Sequence, residues 1–488
     1  MNRLIATRAR RLVLALALFI LGVGLAVALA WRAEEAHPDT PPPENLMSRL
    51  LALPALAAAG FFLLTGAAAR PAEALPTAAQ APAEPPTPFV AQVVGIQWLN
   101  PLEWRDYSTE WNLLWALRLA KPNKSDKQVQ KKPEKYGSVQ PIASIVSSWN
   151  GRATFPRFFS GYMREMFIPL GRRYAINPKY FYTVQPENPK KWRELAGIHV
   201  EFALPATSAL DPVEAAEIVR GRITREFEIG GSPVLSTRAT PPDLRITTGG
   251  ASAGFTALGA ALDYLEAHPD ETVWAMNWDA PDFPLDEQMT ENCVLLVLAG
   301  PKFDTQREPL AWVGRPAVRA AEDFEVRPGE PRAVQAWRSA FEAAAANAAR
   351  PLAEVGYVIH DAGRASDAAG ARVALLGHAL AEPLPEFDLL KQGFNTPALL
   401  GDMRAGSALT NIALAVAYAH HRGTPVLVAG TTESGLATAV VITPPARARP
   451  FDPEKDWFRA RGEGNAYLPW WGLRRDEDWS RYSQGYSE

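Results

Sequence analysis

Runs of apolar residues separated by amphipathic stretches follow one another along most of the chain, and this pattern predicts alternating strands and helices. Compact apolar runs predict strands at 91–99, 198–204, 244–248, 272–278, 292–300, 355–363, 424–431 and 437–445. Longer stretches with apolar residues three and four positions apart predict helices at 101–121, 211–223, 250–268, 333–349, 371–382 and 404–423. Nearly continuous apolar strands separated by helices predict mostly parallel sheets that are covered on both faces.

The first of these helices carries Trp111, Leu114, Trp115 and Leu119 on one face, and we expect that face to point into a core. Arg118 interrupts the face near the end of the helix, where a cation suits the helix dipole. The lysine-rich stretch that follows, residues 121–135, predicts a solvated loop, with a phosphate-binding patch as the alternative.

Two segments about 155 residues apart share one arrangement. Residues 250–278 and 404–431 each begin with a turn of glycine, alanine and serine. In each, a helix that is apolar on nearly every face follows, then a polar break and an apolar strand. A helix of this kind is buried in a large protein. The similarity predicts a duplicated, layered α/β body with a pair of helices at its centre.

The N-terminal region carries two uncharged apolar runs of 20 residues, 12–31 and 50–69. Each is long enough to cross a bilayer as a helix, and the arginines before residue 12 favour a cytoplasmic N-terminus. If both runs span, the protein lies in the inner membrane and its folded part in the cytoplasm. The alternative is a signal peptide that begins at Met47 and exports the folded part to the periplasm. The sequence leaves open whether Met1 or Met47 is the start.

The composition divides the remainder of the chain into further regions. A proline- and alanine-rich linker covers 70–89, a smaller α+β domain 90–190, the duplicated body 191–445, and an arm rich in aromatic residues and arginine 446–488. Tryptophan, tyrosine and arginine dominate interface hot spots, so the arm supplies candidates for partner binding, although it could instead fold back over its own domain. These candidates are Trp457, Trp470, Trp471, Arg474, Arg475 and Trp479.

Charge and composition exclude several functional classes. The 488 residues carry a formal net charge of −3, which lacks the positive excess of a nucleic-acid-binding protein. Cys293 is the single cysteine and the histidines are scattered, so we expect no disulfide and no metal site. The predicted helices do not open with a glycine-rich nucleotide motif, and we therefore expect no cofactor.

The duplicated body resembles the thiolase and β-ketoacyl synthase superfamily. The resemblance lies in VGYVIHDAGRASDAAGARVALLGHAL, in LLGDMRAGSALTNIALAVAYAHHRG and in VAGTTESGLATAVVI, which occur in the family's order. It implies a catalytic cysteine at the turn before the first central helix, but Gly250 or Ala251 stands there. His360 corresponds to the first catalytic histidine and Asp402 replaces the second. Because condensation requires the thiolate and both imidazoles, we expect a pseudoenzyme without catalytic residues.

A serine esterase is the alternative interpretation. Residues 250–254 fit the G-x-S-x-G nucleophile motif, with Ser252 between a predicted strand and a predicted helix. An enzyme here would use Ser252, with His360 and Asp402 or with another acid and histidine further along the chain. These further residues are Asp361 and Asp367, and His378, His420 and His421. Small residues that allow close packing of a central helix account for the motif equally well.

The N-terminal domain carries a second resemblance. VVGIQWLNPLEWRDYSTEWNLLWALRLAKPN and SSWNGRATFPRFFSGYMREMF look like the N-terminal domain of the type VI lipase adapter family, and the thiolase-like region looks like its C-terminal domain. The resemblance implies a non-catalytic adapter that binds a phospholipase effector and helps to load it onto the secretion spike. Its implied partners are the lipase, the spike protein and the inner membrane.

Overall fold

The computed structural model describes most of the chain from residue 88 onward. The described residues are 88–99, 107–131, 133, 155–167, 182–183, 199–206, 210–231, 240–280, 292–305 and 307–457. The chain divides into two compact units, Met1–Pro85 and Pro86–Glu488, and all described residues belong to the second. The predicted membrane segments 12–31 and 50–69 lie outside the described residues. None of the described helices is long and apolar enough to cross a membrane.

The strands of the described part follow the predicted apolar runs closely and add four short strands that the pattern missed. They are β1 Val90–Leu99, β2 Tyr182–Thr183, β3 His199–Pro205, β4 Leu244–Gly249, β5 Thr272–Asp279, β6 Asn292–Ala299, β7 Ala311–Gly314, β8 Ala317–Ala320, β9 Tyr357–His360, β10 Gly393–Asn395, β11 Val426–Gly430 and β12 Leu436–Thr443. The missed strands β2, β7, β8 and β10 have four residues or fewer, too few to show a period.

The helices of the described part include all six that the sequence predicts. They are α1 Thr109–Ala116, α2 Lys127–Lys131, α3 Phe155–Phe167, α4 Pro212–Phe227, α5 Ala253–Ala267, α6 Arg332–Asn347, α7 Asp367–Ala381, α8 Leu389–Gln392, α9 Thr396–Leu400 and α10 Ser407–Arg422. Side chains cap several of these helices at the N-terminus. The Asp211 carboxylate, for example, accepts hydrogen bonds from Val213 and Glu214 at the start of α4.

Helix α1 is shorter than its predicted extent. Ser108 caps it, and it ends before Arg118, which adopts a left-handed backbone conformation with φ of 60°. Leu119 therefore lies beyond the helix, and Arg118 is not on its face. The prediction of a core-facing stripe is confirmed for Trp111, Leu114 and Trp115, which are buried.

The strands form one sheet of 12 strands in the order β10-β9-β11-β12-β7-β1-β6-β5-β3-β4, with β2 beside β1 and β8 beside β12. The prediction of mostly parallel sheets is wrong, because seven of the eleven strand pairings are antiparallel. An apolar run reports burial on both faces and carries no information on strand direction. Burial on both faces is confirmed, since every residue of β5 and β6 is buried.

The predicted duplication is present in the strand order. The sequence of neighbours β4-β3-β5-β6-β1 in one half corresponds to β10-β9-β11-β12-β7 in the other. In both halves the first two pairings are parallel and the next two antiparallel. Helices α5 and α10 occupy equivalent places in the chain. Strand β1, from the predicted domain 90–190, joins the two halves by pairing with both β6 and β7.

The two halves of the sheet enclose α5 and α10. Fourteen of the 16 residues of α10 are buried, as expected for a helix that packs on every side. In β11, Val426 and Val428 join the core cluster around these helices, whereas Leu427 and Ala429 pack with α6 and α7. This alternation follows from the two-residue period of a strand.

Small residues set the spacing between the central helices. A Cβ atom on Gly254 of α5 would lie 2.8 Å from the Cβ of Ala408 in α10. Gly259, one turn and a half further along α5, has no atom within 4 Å of the equivalent position. The two glycines therefore allow a matched test of the helix contact.

We predict that Gly254→Ala destabilises the protein by about 1 to 3 kcal/mol, because the added methyl group overpacks the contact with α10. Gly259→Ala should instead stabilise it by roughly 0.5 to 1 kcal/mol, since alanine is the better helix former in open space. Thermal unfolding of the two variants beside the wild type measures both effects. Equal shifts of the same sign would contradict the close contact.

Candidate functional site

Three chain segments meet where the second half of the sheet approaches the N-terminus of α5. They are the turn 249–252 before α5, the turn after β9 that begins at Asp361, and the short loop 431–435 between β11 and β12. We call the last of these the Glu433 loop. Hydrogen bonds join it to both of the others, so this junction contains the candidate residues Ser252 and His360.

The Glu433 carboxylate lies against the turn before α5. Its Oε1 accepts a hydrogen bond from Ser252 Oγ at 3.1 Å and a longer one from the Ser252 N–H at 3.4 Å. A Cβ atom on Gly250 would lie 2.5 Å from the same Oε1. A carboxylate is stabilised here by the dipole of the 15-residue helix α5. Gly250, one of the two positions to which the thiolase resemblance assigns a cysteine, therefore has little room for a side chain while Glu433 lies there.

Ser252 is half-buried at the position before α5, with the strand β4 ending at Gly249 and the helix beginning at Ala253. The strand–turn–helix context that the esterase hypothesis requires is therefore present. A serine nucleophile also needs an imidazole to accept its proton. The Ser252 hydroxyl donates to a carboxylate instead, and the hydrogen bonds described for the candidate histidines do not include Ser252.

His360 is buried at the end of β9, and its Nδ1 accepts a hydrogen bond from the backbone N–H of Ala362 at 3.3 Å. This places the ring proton on Nε2. Burial lowers the pKa of His360 to about 4, so the imidazole is neutral at physiological pH and is a weak base. Its described role is to shape the turn after β9.

Asp361 holds the Glu433 loop in place. Its buried carboxylate accepts hydrogen bonds from the backbone N–H of Thr431 at 2.5 Å and from the hydroxyls of Thr431 at 2.8 Å and Thr432 at 3.3 Å. Burial raises the pKa of Asp361, and these hydrogen bonds oppose the rise. A chain of contacts thus runs from Asp361 in the second half, through the loop, to Ser252 in the first.

Asp402, the third residue of the esterase hypothesis, lies elsewhere. It is exposed, and its Oδ1 accepts a hydrogen bond from the backbone N–H of Arg404 at 3.0 Å. Its neighbour in space is Asp279 at the end of β5, a buried residue that accepts a hydrogen bond from the Ala405 N–H. Burial, the largest cause, raises the pKa of Asp279 to about 7, and the negative charge of Asp402 adds to the rise.

The remaining histidines of the esterase hypothesis serve structural contacts or face solvent. His378 is exposed on α7, and His420 and His421 lie at the end of α10. His420 Nδ1 donates to the Leu310 carbonyl at 2.7 Å, and burial lowers the pKa of His420 to about 4.

Cys293 is buried in β6, and burial raises the pKa of its thiol well above the ordinary range. In the part of the chain that the structure describes, three or more His, Cys, Asp or Glu side chains do not gather in a group that could hold a metal ion.

A cavity of about 210 Å³ lies on the other side of the Glu433 loop, between α6 and α7. Its lining combines an apolar surface with one cation, Arg372, and hydroxyl groups of the loop. The lining residues are Ala321, Ala333, Ala336, Trp337, Arg372, Leu375, Thr431, Thr432, Glu433, Ser434, Gly435, Leu436 and Ala437. The sequence pattern did not identify this cavity or Glu433. The signal available in the sequence was a glutamate in a short polar loop between two apolar strands.

Among the candidates for partner binding, the structure describes Trp457. It is half-buried, and its backbone N–H and carbonyl pair with the side-chain amide of Asn123 at 2.7 and 2.9 Å. This contact ties the start of the arm to the loop after α1. Trp470, Trp471, Arg474, Arg475 and Trp479 lie outside the described residues, and their role stays a prediction.

We predict a pH dependence of stability from Asp279. Its pKa lies near 7 in the folded protein and near 4 in an unfolded chain, so the folded state holds the extra proton between these values. Stability therefore falls as pH rises from about 4 through 7, on the order of 2 to 4 kcal/mol. Asp279→Asn should remove this loss. Urea unfolding at pH 5 and pH 8 measures it, and an equal pH dependence in both proteins would contradict the assignment.

Comparison with known proteins gives one family match and a set of solved structures of low similarity. Residues 310–444 match the family model described as type VI lipase adapter protein Tla3, C-terminal. No curated protein matches the chain. Among solved structures, an oxazolomycin ketosynthase domain of Streptomyces albus is 14% identical, with a TM-score of 0.45, over 77% of this chain and 100% of that one. A 3-oxoacyl-(acyl carrier protein) synthase III of Pseudomonas aeruginosa is 13% identical, with a TM-score of 0.41, over 74% and 100%.

These levels of similarity carry no information about the function of the chain. The family match lies in the second half of the duplicated body and is consistent with an adapter role. The resemblance to the type VI lipase adapter family that the sequence analysis describes is therefore confirmed over residues 310–444.

Proposed function

We propose that the protein is a non-catalytic adapter that binds a phospholipase effector and assists its loading onto the type VI secretion spike. The match of residues 310–444 to the lipase adapter family is the observation that carries this proposal. The spike protein and the inner membrane, reached through the segments 12–31 and 50–69, complete the set of partners. The folded part then works in the cytoplasm, where an effector is loaded before export.

The geometry of the junction around Ser252 supports a non-catalytic role. The Ser252 hydroxyl donates to the Glu433 carboxylate, and the nearby His360 is a weak base because burial lowers its pKa to about 4. On this proposal the scaffold is a duplicated thiolase-like body. The Glu433 carboxylate occupies the space beside the turn before α5, where a thiolase-like enzyme would carry its nucleophile. The repeated strand order of the two halves supports that description of the scaffold.

A serine esterase is the second candidate, because Ser252 has the strand–turn–helix setting of a nucleophile. On that alternative Glu433 would be displaced by substrate, and the hydroxyl would attack an ester carbonyl. The alternative lacks a base, since a carboxylate in contact with the nucleophile activates it far less than an imidazole does.

We predict that the full chain, extracted in a mild detergent, forms a stable complex with a purified phospholipase effector of the type VI secretion system. Size-exclusion chromatography and calorimetry at micromolar concentration measure the complex. Ser252→Ala should bind the lipase as the wild type does, since the hydroxyl has no role in the proposed recognition. Absence of a complex at this concentration would overturn the adapter proposal.

We further predict that the chain alone does not hydrolyse short-chain or phospholipid esters above the background rate. The control is Ser252→Ala, assayed in the same preparation. Hydrolysis by the wild type that disappears in Ser252→Ala would establish the esterase and refute the non-catalytic proposal.

A further inference from the structure

Strand β8 has an open edge in the described part of the chain. It pairs with β12 on one side, and the described strands include none on its other side. The backbone N–H of Ala321 donates to the Gly435 carbonyl at 2.8 Å, which fixes the alternation of the antiparallel ladder. The backbone groups of Val318 and Ala320 therefore point away from β12, toward the open side.

The surface around this edge is apolar and exposed. The side chain of Val318 is 50% exposed and that of Leu436 is 36% exposed, which is uncommon for large aliphatic residues in two paired strands. Arg319 partly protects the edge, because its Nη1 donates to the Val318 carbonyl at 2.8 Å. Short length and a charged residue are common protections of sheet edges. Arg319 covers the Val318 carbonyl and does not cover the outward N–H groups of Val318 and Ala320.

The cavity between α6 and α7 begins where β8 ends. Ala321, which follows β8, and Leu436, which pairs with Ala320, both line it. Its volume of about 210 Å³ is below the range of roughly 300 to 1,000 Å³ that small-molecule sites occupy. It matches one or two amino-acid side chains better than a cofactor. Trp337 forms part of its wall, and tryptophan is enriched at interface hot spots.

The charges of the lining favour an acidic neighbour. Arg372 is the cation of the lining, with Nη1 bonded to the Ala362 carbonyl at 3.2 Å. Glu433 is the carboxylate of the lining, and it is engaged by Ser252. An approaching segment with an apolar side chain beside an aspartate or glutamate is therefore complementary to the cavity.

The chain's own linker is the competing occupant of the edge. The described chain begins at residue 88, and β1 pairs with β7 up to Val90 opposite Gly314, close to the start of β8. Residues 85, 86 and 88 are prolines, which have no N–H to donate to a ladder. The linker composition therefore disfavours continuation of the pairing along β8.

We propose that β8 and this cavity form the docking surface for the lipase client: an extended segment of the client adds to the open edge of β8 and inserts an apolar side chain, followed by an acidic one, into the cavity. The inference rests on the proposed adapter function. All lining residues and all of β8 fall within residues 310–444, the part that matches the adapter family, whereas the other two described cavities lie outside it. Strand addition supplies backbone hydrogen bonds, and the pocket supplies specificity.

The edge is tested with Val318→Pro, which removes an outward N–H and leaves the ladder to β12 intact. Proline is tolerated at such positions of edge strands. We expect the affinity for the purified lipase to fall at least tenfold, with an unchanged melting temperature. Val318→Ala, which keeps the N–H, should bind within threefold of the wild type. Binding of Val318→Pro at wild-type affinity would overturn strand addition.

The cavity is tested with Ala333→Phe, which fills it from α6, and with Arg372→Glu, which reverses its charge. Each should weaken lipase binding at least tenfold. Ala346→Phe is the matched control, because it makes the same change at an exposed position of α6 outside the cavity. Equal affinity of Ala333→Phe and the wild type would overturn the use of the cavity.

Hydrogen exchange separates the client from the chain's own linker. The outward amides of Val318 and Ala320 should exchange rapidly in the full chain alone and slow at least tenfold when the lipase is added, whereas those of Ala317 and Arg319, which face β12, should be protected in both states. Protection in the chain alone would show that the edge is already paired, and would overturn the proposal. If the wild type binds no lipase, the adapter function itself fails. If it binds and all variants bind equally, this surface alone is wrong.

Discussion

The close contact between α5 and α10 determines much of the rest of the structure. Two helices approach each other this closely only where their facing residues are small, and Gly254 against Ala408 meets that requirement. The contact brings the turn 249–252 to the loop between β11 and β12, although 181 residues separate Ser252 from Glu433. The candidate site is thus a consequence of the packing of the core.

At that site, electrostatics favours a stable internal contact. The N-terminus of a helix attracts negative charge, and Glu433 supplies it from the chain itself. Asp361 keeps the loop in position at the cost of burying its own carboxyl, which three hydrogen bonds from Thr431 and Thr432 offset. An enzyme at the same place would leave the helix N-terminus open for the developing charge of its substrate. Here the chain's own carboxylate takes that position.

The sequence predicted the elements better than their arrangement. Apolar runs located β5, β6, β11 and β12 nearly to the residue because strands covered on both faces carry mostly apolar side chains. The same runs could not show direction, so the antiparallel pairings were missed. Helix α1 was predicted too long because the left-handed backbone of Arg118 leaves no trace in the pattern. At the site, Ser252 and His360 were identified from local motifs. Glu433 and Asp279 were missed because their roles depend on partners more than 100 residues away.

Polar contacts anchor the central helix α10 at both ends and so join parts of the chain that the sequence assigns to different regions. At its start, the side-chain amides of Asn277 and Asn292 donate to the Gly406 carbonyl at 2.7 and 2.9 Å. At its end, His421 Nδ1 donates to the Arg449 carbonyl at 2.5 Å, and Nε2 lies 3.2 Å from the Tyr182 hydroxyl.

These anchors differ in chemistry from the apolar middle of α10. Apolar packing there tolerates small shifts of the helix along its axis. A hydrogen bond to a buried carbonyl forms at one position of the helix only, because a shift of the helix would leave the polar group unpaired. The polar ends therefore define the position of α10, and the apolar middle supplies most of the burial. Since His421 reaches Tyr182, the described parts of the region 90–190 are held by the same helix that sets the junction around Ser252.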